Sequence, residues 1–507
     1  MKQTCTNHSN QFSVSNQILF VFYAIWVGIG IYYHEPWRDE THALMIASSS
    51  NSIFDLWHNI KYEGHPIGWY FVLWCGLKFY HYLLLLSVVQ WFSALILGYL
   101  FIFKSPFSFL LKVLLVLGGL LGYEYGIISR NYHIPIALLF FSASIYQQRH
   151  QKKFLLLFIL GLSAQFNVFA TLLSIAFAAT LFIEILYEKK YRIHYPTLAG
   201  FVFFGCSVLF FAATVYIKDD FSLIRETKTF DEKINMVVDY LATFPMMGLN
   251  FLYTDYEWRA TSNINKLLIP VCLAVFFNAL KNARYARVLF VSSILLITLF
   301  VFSVPYWVIS NRHCGVLLVV VIVCAWIGYE KIDLDKNRYL QGWLYTAAIF
   351  HFYVGNYHLF KDILLPFSYG NETAGYIQSQ PLLKNTLWAV YPGFSSSLFS
   401  AHLNRDVYQF QADEFGKYPT WKKSKSDSYY EMSGAMLRRK CDSLGRVYKK
   451  NVGLVLYDNA DTAGLNTLPM AVFKGETVDR RGECFKIYFF KKEASFAAAN
   501  NAQLLPN

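Results

Sequence analysis

Glu35-Pro36-Trp37-Arg38-Asp39-Glu40-Thr41-His42 is answered further along the chain by Tyr62-Glu63-Gly64-His65-Pro66. Together the two pieces carry four carboxylates, two histidines and a guanidinium, and long apolar segments lie on both sides of them. Charge in such a setting is costly and rarely decorative, so this loop is the first place to look for function. The apolar segments around it decide the fold.

Of the 507 residues, 55% are hydrophobic and 15% charged, and the mean hydropathy is +0.32. These values exclude a soluble globular domain or a disordered chain and imply an α-helical polytopic membrane protein. The net charge of +12 raises nucleic acid as a partner, but no basic run or nucleic-acid motif supports it. Lysines and arginines placed on cytoplasmic loops account for the excess. Aromatic residues make up 19% of the chain, which suits both interfacial belts and sugar-stacking surfaces.

Met1 to Asn16 is polar and precedes the apolar run Gln17–Tyr33. That run is too long for a signal-peptide core and lacks a small-x-small cleavage site, so it reads as an uncleaved first span. Further apolar runs occupy 67–80, 83–103, 110–128, 132–147, 153–167, 168–187, 197–217, 266–280, 287–304, 313–329 and 340–357. A helix needs about 20 residues to cross. The run 67–80 is short and starts next to a proline, and whether it crosses sets the parity of everything after it.

Basic residues decide the matter. The connections carrying Lys104 and Lys112, Arg149 with Lys152 and Lys153, Lys189 with Lys190 and Arg192, Lys281 with Arg284 and Arg287, and Lys331 with Lys336 and Arg338 fall on one side only if 67–80 does not cross. By the positive-inside bias that side is the cytoplasm. This gives 11 spans in a membrane unit over residues 1–360, a cytoplasmic N-terminus and an outer loop over 34–82 in which 67–80 is a juxtamembrane or re-entrant helix. It also gathers Asp39, Glu63, Arg130 and Arg312 at one outer interface.

In the long outer connection Lys218–Asn265, the spacing of Ile234, Val237, Val238 and Leu241 predicts a helix over 231–244, either flat on the membrane or plainly on the surface. After Lys361 the apolar spans stop, and 361–507 reads as a small α/β domain outside the membrane. Its expected strands are 387–391, 452–457 and 484–490, and its helices 371–379, with Asn371 as cap, and 433–444. Ser495–Asn507 reads as a frayed tail. Cys75, Cys206, Cys272, Cys314 and Cys324 read as buried fillers, while an exported compartment would permit a Cys441–Cys484 disulfide.

A hydrophobic segment followed at once by Asp39-Glu40, and then by Glu63-Gly64-His65-Pro66, resembles the first outer loop of the GT-C glycosyltransferases, multi-pass enzymes that take sugars from polyprenyl-phosphate carriers. The family pattern ends Glu/Asp-x-His-Pro-Pro, and Ile67 stands here where its second proline would be. The resemblance implies that the first acidic residue, Asp39, is the general base. Arg130 in Ser129-Arg-Asn-Tyr132 resembles the Arg-x-Tyr at the outer end of a span in related bacterial enzymes, and Arg312-His313 resembles the Arg-Tyr/His opening a late span.

The chemistry of such a transfer needs few groups. A base takes the proton of the acceptor hydroxyl, and positive charge receives the departing phosphate. Asp39 is the candidate base, partial desolvation raising its pKa, with Glu40 beside it; the alternative is an ion pair to Arg38 or Arg130. Arg130, Arg312 and His313 are candidates for the donor phosphate, against snorkelling to lipid headgroups. Glu124 is a candidate partner for Arg130. Glu63, His65 and His42 are candidates for the acceptor or for a divalent metal, Mn²⁺, Mg²⁺ or Zn²⁺, with Glu63 and His65 as ligands; the alternative is a hydrogen-bonded turn stapled by Pro66. Lys61, Tyr62, Trp69 and Tyr70 could line the acceptor side.

The function this implies is transfer of a sugar from a polyprenyl-phosphate donor to a glycan, lipid or protein acceptor on the outer face of the inner (plasma) membrane. A flippase for lipid-linked saccharides would instead spread charge through the bilayer midplane and show repeated halves, and neither is visible. A membrane acyl- or phosphotransferase would use the same histidines and carboxylates.

Overall fold

The structure, a computed structural model, describes residues 13–80, 82–188, 195–216, 228–249, 259–304, 310–332, 337–422, 432–478 and 482–492. The basic residues Lys189, Lys190, Arg192 and Lys336 and the tail 495–507 lie outside them.

Each apolar run of the sequence is helical, as a chain without water to satisfy its backbone must be. In chain order the helices are α1 (Val14–Tyr33), α2 (Arg38–Ser48), α3 (Ile53–Asn59), α4 (Gly68–Gly76), α5 (Tyr82–Tyr99), α6 (Phe109–Val116), α7 (His133–Ile145), α8 (Lys153–Ser163), α9 (Val168–Glu188), α10 (Tyr195–Val215), α11 (Phe230–Leu241) and α12 (Arg259–Ala279). They continue with α13 (Arg284–Ser303), α14 (Asn311–Cys314), α15 (Val316–Gly328), α16 (Arg338–Leu364), α17 (Gly370–Ser379), α18 (Ser396–Leu403) and α19 (Gly434–Tyr448). Short π-helical turns at Leu100–Lys104 and Gly119–Glu124 extend the α5 and α6 runs.

The run 67–80 forms only the nine-residue α4, about 13 Å long and far short of a bilayer. Among the described residues six helices are long and apolar enough to cross by themselves, fewer than the eleven expected. The remaining runs are shorter, interrupted or, as in the 27-residue α16, less apolar. The run 110–128 breaks at Gly118, where α16 comes so close that a Cβ on Gly355 would stand 2.5 Å from the Gly118 carbonyl carbon. Only glycines allow that approach, and it brings the last turns of α16 onto the Gly119–Glu124 segment.

The two ends of the bundle differ in charge. Phe107 packs on Tyr329, Gly328 abuts Ala283 and Ala286, Arg284 stacks on Tyr187, and Arg149 pairs with Glu184. The described basic connections therefore meet at one end. Asp39, Arg130 and Arg312 meet at the other.

At that end sits a six-stranded sheet made of β1 (Leu387–Tyr391), β2 (Val407–Gln409), β3 (Glu414–Gly416), β4 (Val452–Tyr457), β5 (Ala471–Phe473) and β6 (Phe485–Phe490), in the order β3-β2-β1-β4-β6-β5. The central β2-β1-β4 strands are parallel and the outer pairings antiparallel. β1 and β4, buried on both faces, have the continuous apolar runs that made them legible. The three-residue strands β2, β3 and β5, and helix α18, have too little pattern to be read.

Three expectations need correction. Tyr369, not Asn371, occupies the cap position of α17, and no side chain caps it. Cys206 is exposed and Cys75 half-buried, because they face out of the bundle. Cys441 and Cys484 are unbonded thiols, the first on the buried face of α19 that packs on the sheet.

Candidate active site

Helix α2 begins at the site. Its first turn carries Asp39 and Glu40, acidic residues that suit the positive end of a helix. Neighbours on a helix point about 100° apart, so the pair divides. Glu40 is fully buried: one oxygen accepts from the Ser129 backbone at 2.6 Å, the other from the Trp37 backbone at 3.2 Å and stands 3.0 Å from His34 Nε2. His34 Nδ1 in turn meets Asp362 at 3.1 Å, and the Tyr123 hydroxyl donates to Asp362 at 2.7 Å. Glu40 thus faces the packed junction of α1, α2 and α16, away from the chemistry expected of it.

Asp39 faces the open side, its side chain 30% exposed. One oxygen pairs with both Arg130 and Arg312, the latter at 3.2 Å, and the other lies 3.8 Å from Arg38 Nε. Burial alone would raise the carboxyl, but Arg130, Arg312 and Arg38 outweigh it and hold Asp39 well below the usual carboxylate range. The raised value expected from desolvation is overturned, because three guanidiniums surround the group. The carboxylate that Arg130 meets is Asp39; Glu124 lines a cavity that Arg130 does not reach.

The second half of the loop returns beside Asp39. Gly64 adopts φ +64°, a left-handed turn that brings Glu63 and His65 to the same cavity. Glu63 pairs with His42 at 2.7 Å, and His42 is flanked by Tyr418 and Trp421 of the C-terminal region. His65 is held neutral at about 4, by burial and then by Arg130 and Arg312, and its buried Nδ1 has no hydrogen-bond partner among the described residues. The metal expectation fits poorly: no three His, Cys, Asp or Glu side chains converge among the described residues, and Glu63 is committed to His42.

Two cavities meet at this point. The first, about 310 Å³, has apolar walls at Gly119, Ile128, Leu249 and Val354, and carries Arg38, Arg312 and Lys361 beside the carboxyl groups of Asp39, Glu124 and Glu483. The second, about 270 Å³, is aromatic and polar, with Trp69, Tyr70, Tyr132, Phe169 and Trp421 around His42, Glu63, His65 and Arg130. Asp39 and Arg312 line both. Arg312 is fixed by its own backbone, whose carbonyl accepts from Tyr125 at 2.7 Å. His313 lies on the second cavity with its Nδ1 on Ser310 at 2.8 Å. Of the residues expected on the acceptor side, Trp69 and Tyr70 line the second cavity; Lys61 is turned outward onto His58 at 3.1 Å, and Lys61 and Tyr62 line neither cavity. Arg38, Lys361, Trp421 and Glu483 also line these cavities and were not foreseen. Lys361 and Glu483 lie far along the chain in segments with no local motif, whereas Arg38 stood inside the quoted loop.

A helical membrane unit meets an α/β unit at the end that carries the Asp39-Glu40 loop, and this fold has a likeness among solved structures. The likeness is to a particular solved structure, ArnT from Cupriavidus metallidurans in the apo state, with a TM-score of 0.52 and 11% identity, over 93% of this chain and 97% of that one. No family model and no curated protein sequence matches the chain.

Proposed function

We propose that this protein is a glycosyltransferase of the inner (plasma) membrane that takes a sugar from a polyprenyl-phosphate donor and passes it to a glycan, lipid or protein hydroxyl on the outer face. The observation that carries the reading is the shared wall: Asp39 and Arg312 line both a cavity with apolar walls, three cations and three carboxyl groups, and an aromatic, polar one. A lipid phosphate suits the first, its chain on the apolar walls and its phosphate against Arg38, Arg312 and Lys361. A hydroxyl-bearing acceptor suits the second.

In the transfer, the acceptor oxygen bonds to the anomeric carbon as the bond from that carbon to the phosphate oxygen breaks. The hydroxyl proton goes to Asp39, and the phosphate leaves with the electron pair toward the cations of the first cavity. Attack from the far cavity displaces the phosphate in line and inverts the anomeric centre. Asp39 clamped by guanidiniums is ionised but a weak base. A phosphate entering beside Arg312 competes for that guanidinium and restores basicity to Asp39 at the moment it is needed. Each of these roles falls to a side chain of the protein itself. Conversion of a radiolabelled polyprenyl-phosphate sugar to free polyprenyl phosphate by the purified protein tests the reading; a protein that only moves the intact lipid across vesicles would refute it.

A further inference from the structure

The C-terminal region does more than sit beside the first cavity. After α16, the 366–369 segment is stapled to it: the Tyr369 backbone donates to the Glu483 carbonyl at 2.9 Å, and Val478 to Pro366 at 3.1 Å. This docking places Val478, Gly482 and Glu483 in the cavity wall with Trp37, Arg38 and Asp39.

Glu483 is 3% exposed. Its Oε2 is occupied, accepting from Ser368 Oγ at 2.8 Å and from the Arg38 backbone at 3.4 Å. Its Oε1 is 3.3 Å from Arg38 Nε but accepts no hydrogen bond from any described residue. A buried carboxyl oxygen that accepts no hydrogen bond is unfavourable. An oxygen left so in a cavity wall has the form of a ligand contact, not of a core contact.

Its position says which part of the ligand. Arg38 Nε lies 3.8 Å from Asp39 Oδ1 and 3.3 Å from Glu483 Oε1, so those two carboxyl oxygens are no farther apart than the sum of the two distances. A single sugar ring spans such a separation. With the anomeric carbon at Asp39, ring substituents reach toward Glu483, and the phosphate lies toward Arg312 and Lys361. Arg38 is itself held in place, its guanidinium over Phe394 at 4.6 Å.

Resting on the glycosyltransferase reading, we propose that Glu483 reads the donor sugar, its Oε1, paired with Arg38 but accepting no hydrogen bond from a described residue, taking one from a hydroxyl or amine on the ring being transferred. Burial pushes its carboxyl up to about 7 despite Arg38 and Ser368, so near neutrality it is able to accept or to share a proton with such a group. The C-terminal region then supplies specificity to a reaction whose charges come from the membrane unit.

The test compares two probes on the full-length protein in detergent: undecaprenyl phosphate, and undecaprenyl phosphate carrying a labelled hexose. Glu483→Gln keeps the shape and the Ser368 contact. It is expected to leave binding of the bare lipid phosphate within about twofold and to weaken the sugar-bearing lipid about tenfold, the worth of a hydrogen bond to a charged group. Should that variant not fold, Glu483→Asp, which withdraws the carboxyl by one methylene, is put through the same comparison. Equal loss for both probes overturns the proposal and leaves Glu483 a positioning residue acting through Arg38; no loss for either overturns it outright. If wild-type protein binds neither probe, the glycosyltransferase reading itself falls.

Discussion

Asp39 illustrates how far a residue type and its surroundings can diverge. A carboxylate at a membrane surface is expected to hold its proton more tightly, yet here three guanidiniums reverse the effect of burial. The sequence brought Asp39, Arg130 and Arg312 to one level because each ends or begins an apolar run. It did not divide their work, since cavity walls depend on side-chain direction. Arg312 touches both cavities and Arg130 only the second. Lysine keeps the charge but loses the fork. Arg312→Lys is therefore expected to lower both turnover and donor-lipid binding by about tenfold or more, whereas Arg130→Lys lowers turnover with donor binding retained. Steady-state turnover beside a lipid-binding titration separates them, and identical donor-binding losses would place Arg130 on the donor side after all.

At the scale of elements, α2 is aimed by Glu40, the buried half of the Asp-Glu pair. Glu40 holds the Ser129 backbone, next to Arg130, and His34, at the end of α1, while His34 reaches Asp362 of α16. None of this was legible: His34 and Asp362 lie 328 positions apart. What was legible were elements with strong periodicity or unbroken apolar runs, such as β1, β4 and the short α4; three-residue strands carry too few side chains to show a period. Burial would lower His34, but Glu40 and Asp362 outweigh it and hold the imidazole at about 10, against an ordinary 6.5. Because the folded value is raised, the clamp's stabilisation is full below about pH 6.5 and is lost as pH rises toward about 10. The groups facing the ring are Glu40 on α2, Asp362 on α16 and the Tyr123 hydroxyl beside it, with Glu35 next in sequence. Melting curves in detergent should show wild-type protein losing stability between pH 6 and pH 9, and His34→Gln destabilised on the order of 3 kcal/mol at pH 6 with less pH dependence. Parallel pH profiles for the two proteins would contradict the clamp.

Across the whole molecule, the charge distribution sets the orientation. The described basic connections gather at the end away from Asp39, and α4 is too short to cross, so the positive-inside bias predicts that this end faces the cytoplasm. Reporter fusions after Lys153 and Arg287 are expected to report cytoplasm, and fusions after Lys361 the outside; an outside signal at Arg287 would invert the account. The α/β unit was readable as a change of composition after Lys361. Its part in the first cavity was not, because Glu483 is brought to Arg38 only by docking across 445 positions of chain.

The most direct test of the central claim, a base set between a donor cavity and an acceptor cavity, is Asp39→Asn. The substitution keeps the volume and removes the charge. The account predicts a folded protein that binds polyprenyl-phosphate sugar at least as well as wild type, since Arg312 is released from its carboxylate, but whose turnover of the radiolabelled donor falls by about 10²–10⁴-fold. Normal turnover, or a folded variant that no longer binds the donor, would contradict it.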